Sequence, residues 1–197
     1  MKKVNRQEQK EHTHRHLIEV AFQQLAEHGL IATRTADIAK AAKVSHGTIF
    51  VHFPTKEELL TAVIEEFGAR IALRLHELAA NGGGVRQVLE AYLEGLTEYE
   101  PFYSRLVMEG HLLPERSRNT LVMIQSALSF HLCQALERET AEGKIRPFPT
   151  HLLFNTWIGL IHYYLTNRDL FAPGESILKR YGTDLLNYFL NLLAKEE

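Results

Sequence analysis

Cysteine is almost missing from this chain of 197 residues. Cys133 is the single one, so no intrachain disulfide can form, and a reducing compartment such as the cytoplasm is expected. Long apolar runs are missing too. Each apolar segment is broken by polar residues before it reaches the roughly 20 residues that cross a bilayer, so no transmembrane helix is expected. The opening residues, MKKVNRQEQK, lack the apolar core of a signal peptide. There is no HExxH, no cysteine pair, no glycine-rich phosphate loop and no nucleophile elbow. No catalytic residue, cofactor or metal site is therefore expected. Sustained alternation of apolar and polar residues is absent as well, which excludes strands and predicts an all-α chain.

What is present suits a globular protein. The chain is 45% hydrophobic and 23% charged, with a net charge of −2. The charge is unevenly spread. Residues 1–60 carry nine Lys/Arg against seven Asp/Glu, and the remainder carries thirteen against seventeen. Six of the eleven histidines also lie in the first sixty residues. A mildly basic N-terminal module on a more acidic body is compatible with a selective DNA reader, because phosphate contacts need only one face.

The basic start has two readings: a frayed terminus, or an arm in which Lys2, Lys3 and Arg6 reach a nucleic-acid backbone. HTHRH follows. Only His12 and His16 have the spacing to share a helical face as metal ligands, and no third ligand stands nearby. From about His14 to His28, Leu17, Ile18, Ala21, Phe22 and Leu25 recur at helical spacing, and Gly29 stands at the C-terminal cap position.

The stretch Thr33–Leu60 is the most informative. Thr33 or Thr35 can cap a helix that has Asp37 in its first turn and Ile38, Ala39 and Ala42 on one face. Ala42-Lys43-Val44 makes a turn, and Ser45 can cap a short helix ending at His52 before Pro54. Two small helices joined in this way describe a helix-turn-helix. The short helix would turn Ile49 inward and leave His46, Gly47, Phe50 and Val51 outside. That outer face suits the major groove, which a helix enters with its N-terminal residues first. It carries no Arg, Asn or Gln, so apolar contacts, backbone contacts and DNA shape are expected to contribute much of any specificity. Thr48 and an outward-facing His52 can bond phosphates. Thr55 and Glu58 form a capping box, and Lys56 in the next first turn can share a phosphate with the free N–H groups there.

These residues resemble the DNA-binding module of the TetR family of bacterial transcriptional regulators. The resemblance rests on Thr33, Ile38-Ala39, Ala42-Lys43-Val44-Ser45, Gly47-Thr48, Phe50, His52-Phe53, Lys56-Glu57 and Leu59-Leu60. Three positions depart from the pattern. Lys43 replaces the usual turn glycine, at a cost of about 1 kcal/mol if it is left-handed. Phe50 replaces a common Tyr and so lacks a hydroxyl. Arg34 replaces a second capping Thr and could meet the backbone or a base.

Beyond Pro54 the spacing predicts helices over Thr55 to about Ala80, ended by Gly82-Gly83-Gly84, and over Val85 to about Glu98, stopped near Pro101. Further helices are predicted over Phe102 to Leu113, Glu115 to about Glu142, Leu152 to about Phe171 and Ile177 to about Leu193. The last two are apolar enough for two copies to pack as a four-helix bundle. Ile158, Ile161, Leu165, Leu185, Tyr188, Phe189 and Leu192 are the candidate dimer contacts. The resemblance implies the same pairing, and an effector pocket enclosed by the middle helices. Candidate walls of that pocket are Phe102, Tyr103, Leu106, Met108, His111, Met123, Phe130 and Trp157.

The expected organisation is a helix-turn-helix domain over residues 1–54 and a helical effector-binding and dimerisation domain over residues 55–197. The expected function is that of a dimeric repressor on pseudo-palindromic operator DNA, released by a small-molecule effector. Its expected partners are double-stranded DNA, a small molecule and a second copy of itself, with no membrane. The alternative is a helical protein-interaction module or a metal-responsive protein using its histidines.

Overall fold

The computed structural model describes residues 6–79 and 83–194. Lys2 and Lys3 of the proposed arm, and Gly82 of the expected helix stop, lie outside the described residues. Within them every regular element is helical.

Helix α1 (Arg6–His28) begins eight residues before the expected start. Its early turns are polar and exposed, so no apolar periodicity announces them. They are supported instead by local pairs such as Gln7 Nε2 donating to Glu11 Oε1 at 2.9 Å. The later turns bury Leu17, Ile18, Ala21, Phe22 and Leu25. Gly29, with φ +95°, ends the helix.

Helices α2 (Thr35–Ala41) and α3 (His46–His52) follow. Arg34 holds the cap position of α2 and makes no side-chain cap bond. This corrects the expectation that Thr33 or Thr35 caps α2. Thr33 is buried, and its Oγ1 donates to Gly29 O at 2.6 Å. Thr35 is already the first helical residue.

The end of α2 is a Schellman motif: Lys43 N donates to Lys40 O and Val44 N donates to Ala39 O. Lys43 takes the left-handed position, with φ 57°. Ser45 then caps α3 by accepting from Thr48 N at 3.1 Å.

Helix α4 (Lys56–Ala79) runs from this head into the body, burying Leu59, Leu60, Val63, Ile64, Phe67, Ile71 and Leu75. It packs against α1, α5 (Val85–Glu98) and α7 (Glu115–Ala141). Between α5 and α7 lie α6 (Glu100–Glu109) and a 3-10 turn (Gly110–Leu112). Helix α5 stops at Glu98, just ahead of Pro101, as expected. Pro101 itself sits in the first turn of α6, where its missing N–H is not needed, and that helix begins two residues before the expected Phe102.

Helices α8 (Thr150–Thr166), α9 (Arg168–Phe171) and α10 (Ile177–Leu193) close the chain. The start of α10 is tied to the start of α6. The buried Glu100 carboxylate accepts from Ser176 Oγ, Ile177 N and Leu178 N at 2.5, 2.8 and 2.9 Å. A negative charge at a helix N-terminus is favoured by the free N–H groups and the helix dipole. No helix is long and apolar enough to cross a membrane among the described residues.

Candidate nucleic-acid interface

Helix α3 is fastened by one side only. Ile49 and Phe53 are buried against the head's core. On the opposite side Phe50 is 43% exposed and Val51 71% exposed, and His46 and Gly47 are also exposed. Two apolar side chains on a seven-residue helix are therefore largely open to solvent. A side chain at Gly47 would meet only Ser45 Oγ, at 3.8 Å, so its surface is open.

The polar groups around this face are pre-set. His46 Nε2 shares a hydrogen bond with Thr35 Oγ1 at 2.9 Å, which links the starts of α2 and α3. The His46 ring also meets Phe50 edge-on at 5.0 Å. Thr48 Oγ1 bonds Ser45 Oγ at 2.8 Å, leaving hydroxyl capacity for another partner. Arg34 is exposed beside them.

His52 is half-buried rather than facing out. Burial, and then the neighbouring His14 and Lys10, hold its pKa below the ordinary histidine value. It lines a groove with Gln7, Lys10, Glu11, His14, Arg15 and Val51. Sequence reasoning missed Lys10 and Arg15 there. Extending the α1 projection back to Arg6 would have found them, because they then lie along the N-terminal half of that helix.

Lys56 is already engaged: its Nζ donates to Ile31 O at 2.7 Å. Burial lowers its pKa, and Glu109 opposes that shift. That bond uses one of the three N–H donors of Lys56 and leaves the others for the phosphate expected there. Thr33, by contrast, is buried under the head and presents no hydroxyl to a ligand.

Two histidines of the HTHRH segment, His14 and His16, are used structurally. His16 Nε2 lies 3.2 Å from Ala42 O, bracing α1 against the α2–α3 turn. The His14 ring stacks on Phe53 at 4.5 Å. No group of three or more potential metal ligands comes together among the described residues.

The expected effector-pocket residues do not share one wall. Phe102, Leu106 and Trp157 are fully buried core residues. Phe102 stacks on Phe22 of α1 at 4.3 Å, which makes it part of the head–body junction. His111, in the 3-10 turn, is instead exposed, and so are Met123 and Phe130, which lie off the face that α7 buries. Met108 is half-buried, and Met123 lines a surface groove between α4 and α7.

Tyr103 is buried in a polar row. Its hydroxyl lies 3.0 Å from Tyr92 Oη and 2.8 Å from His162 Nε2. Two further buried polar atoms, Ser104 Oγ and Trp157 Nε1, have no hydrogen-bond partner among the described residues.

Of the expected dimer residues, Ile161, Leu165, Leu185 and Phe189 are buried inside the single chain. They are corrected to intrachain core. Ile158 and Leu192 are half-buried, and Tyr188 is 59% exposed.

Among the described residues, two short helices joined by a tight turn, α2 and α3, stand on an all-helical body, the arrangement of a helix-turn-helix. Residues 17–63 match the family model described as "Bacterial regulatory proteins, tetR family". The chain is 28% identical over 144 residues to the uncharacterized HTH-type transcriptional regulator YuxN of Bacillus subtilis, spanning 70% of this chain and 49% of that protein. It is 27% identical over 137 residues to the probable acrEF/envCD operon repressor of Escherichia coli, spanning 68% of this chain and 54% of that protein. The chain thus spans about half the length of these relatives. Its fold is also that of the transcriptional regulator FadR from Bacillus subtilis, solved in complex with stearoyl-CoA, with a TM-score of 0.72 and 19% identity over 89% of this chain and 96% of that one. Residues 17–63 are thus similar to the tetR family, and the described chain shares the fold of solved TetR-family regulators.

Proposed function

We propose that this protein is a dimeric transcriptional repressor that binds a pseudo-palindromic DNA site in the cytoplasm and is released by a small-molecule effector. The observation that carries the reading is the uncovered face of α3, where His46, Gly47, Phe50 and Val51 stand outside a head fixed by Ile49 and Phe53. Repression, rather than activation, is supported by the name of the Escherichia coli relative.

In this reading α3 enters the major groove. His46 and Phe50 meet base edges and thymine methyl groups, while Arg34, Ser45 and Thr48 address the backbone. Thr35 holds His46 in place. Two heads of one dimer would engage successive grooves about 34 Å apart. The effector would enter the body near Tyr103 and Met108. Ser104 Oγ and Trp157 Nε1, buried without partners, favour a ligand that carries a hydrogen-bond acceptor. FadR, which shares the fold, holds an acyl-CoA thioester, a molecule with such groups. Effector and DNA would weaken each other by the same factor.

Gly47 provides the test, because its surface is open and a side chain there meets no core atom. The wild-type protein is used to enrich duplexes from a random-sequence pool. The Gly47→Glu variant is expected to melt at the wild-type temperature and to lose binding to the enriched duplex. Enrichment of no sequence by the wild type, or wild-type affinity in Gly47→Glu, would overturn the reading.

A further inference from the structure

The turn between α1 and α2 is gripped from outside the head. Ile31 N donates to Glu109 Oε2 of α6 at 3.0 Å, and Ile31 O accepts from Lys56 Nζ of α4 at 2.7 Å. Both polar groups of one exposed residue are thus held by side chains rooted in the body.

The grip continues into α1. Arg105, one turn before Glu109 on α6, donates from Nη2 to Glu27 O at 3.0 Å and from Nε to Ala26 O at 3.4 Å. These carbonyls belong to the last turn of α1, where a cation is favoured. Arg105 Nη1 and Glu109 Oε1 are 3.7 Å apart. Gly29 completes the fit, since a Cβ there would stand 2.8 Å from Glu109 Oε1. Higher on α1, Arg70 of α4 pairs with Glu19 and lies over the Phe22 ring. The C-terminal end of α1 is therefore the place where α6 and the head share hydrogen bonds.

We propose that Arg105 and Glu109 are positioning residues for DNA binding: a clasp on α6 that sets the angle of the α2–α3 pair relative to the body. The proposal rests on the DNA-binding reading above and deepens it by naming how the heads are held. The turn at Ile31 leads directly into α2, and α2 is locked to α3 by the Lys43 turn and by the Thr35–His46 bond. A shift of α6 along its axis moves Glu109 and Arg105 together, and the head must follow or release them. The clasp touches no DNA. It fixes where each head points, and therefore the spacing at which two heads of a dimer fit one site.

The experiment compares wild type, Glu109→Ala, Glu109→Gln and Arg105→Ala on three probes: the duplex enriched by wild type, its half-site, and the full site with base pairs inserted at its centre. Wild type is expected to lose affinity on the inserted site by about a hundredfold, since two-point attachment fails when geometry forbids it. Glu109→Ala and Arg105→Ala are expected to keep wild-type half-site affinity while the penalty for insertion shrinks to about threefold, because loosened heads tolerate more than one spacing. Glu109→Gln still accepts from Ile31 N and is expected to retain most of the discrimination.

Full spacing discrimination in Glu109→Ala would overturn the proposal. So would a parallel loss of half-site and full-site binding, which marks a merely structural role. If wild type enriches no duplex, the DNA-binding reading itself fails and the clasp falls with it, a result seen before any variant is made.

Discussion

Lys43 shows what a single side chain does to this fold. The ends of α2 and α7 are built alike. In α7, Gly143 N donates to Thr140 O and Lys144 N donates to Glu139 O, with Gly143 at φ 72°. At the end of α2 the same two bonds form, but the left-handed place is held by Lys43 at φ 57°. A Cβ in that conformation crowds the following carbonyl, at a cost of about 1 kcal/mol. Lys43→Gly is therefore expected to raise the melting midpoint by about 2–4 °C for a chain of this size, read by circular dichroism. An unchanged or lower midpoint would show that no strain resides there. This departure was legible in the sequence through the resemblance, which sets a glycine at the position that Lys43 holds. The partner of Lys56 was not legible. Its carbonyl acceptor lies 25 residues away in sequence, and the carboxylate facing it stands on α6. Periodicity tells which face a residue occupies and is silent about which distant element covers that face.

At the scale of elements the same limit explains what sequence reading found and what it missed. The start of α5, the end of α10 and nearly all of α4 were legible, because each combines a clear apolar stripe with a capping or breaking residue. The extents of α1 and α6 were not. One begins with exposed polar turns, and the other takes into its first turn the proline before which α5 ends. The pocket residues failed for a related reason. The apolar residues of α7 lie on more than one face, so spacing alone could not separate buried Leu128 and Leu132 from exposed Met123 and Phe130. What joins α5, α6 and α8 was likewise hidden: the row Tyr92, Tyr103 and His162. Burial pushes the pKa of His162 below the ordinary value of 6.5. Above 6.5 the imidazole is neutral in both the folded and unfolded chain, so its contribution to stability is intact. As pH falls below that value the unfolded chain binds a proton that the folded chain resists, and stability drops until the lowered folded value is passed. His52, lowered by burial and by its cationic neighbours, acts in the same direction. The melting midpoint is thus expected to fall between about pH 7.5 and pH 5, with a shallower slope in His162→Gln. An identical slope in the variant would assign the pH dependence elsewhere.

At the scale of the whole molecule, the dimer proposed above needs a surface of the body that meets a second copy. Trp157, Ile161 and Leu165 of α8 and Leu185, Phe189 and Leu193 of α10 are consumed within one chain, with Trp157 and Phe189 rings 5.2 Å apart. The outer faces of the same helices remain open. Leu152 and Tyr163 on α8 are 54% and 56% exposed, and Tyr188 on α10 is 59% exposed. A two-fold axis beside this pair would bring those residues together with their copies and form a four-helix bundle. Tyr188→Arg places a cation, and its copy, at such a self-complementary contact, where desolvation and like charge oppose association. Because Tyr188 faces solvent in the single chain, the substitution is expected to leave the helical content unchanged. It is expected to shift the mass measured by light scattering from dimer to monomer. Full-site DNA affinity would then fall by about a hundredfold while half-site affinity stays at the wild-type level, since only the second attachment is lost. Phe189→Ala is the contrasting variant. It empties a fully buried position and is expected to cost about 3–5 kcal/mol of stability whether or not a dimer forms. A Tyr188→Arg protein that stays dimeric at dilute concentration would place the dimer interface on another face. Leu152 and Tyr163 would then be ordinary exposed side chains, and the spacing of the two heads would have to be set by some other pair of helices.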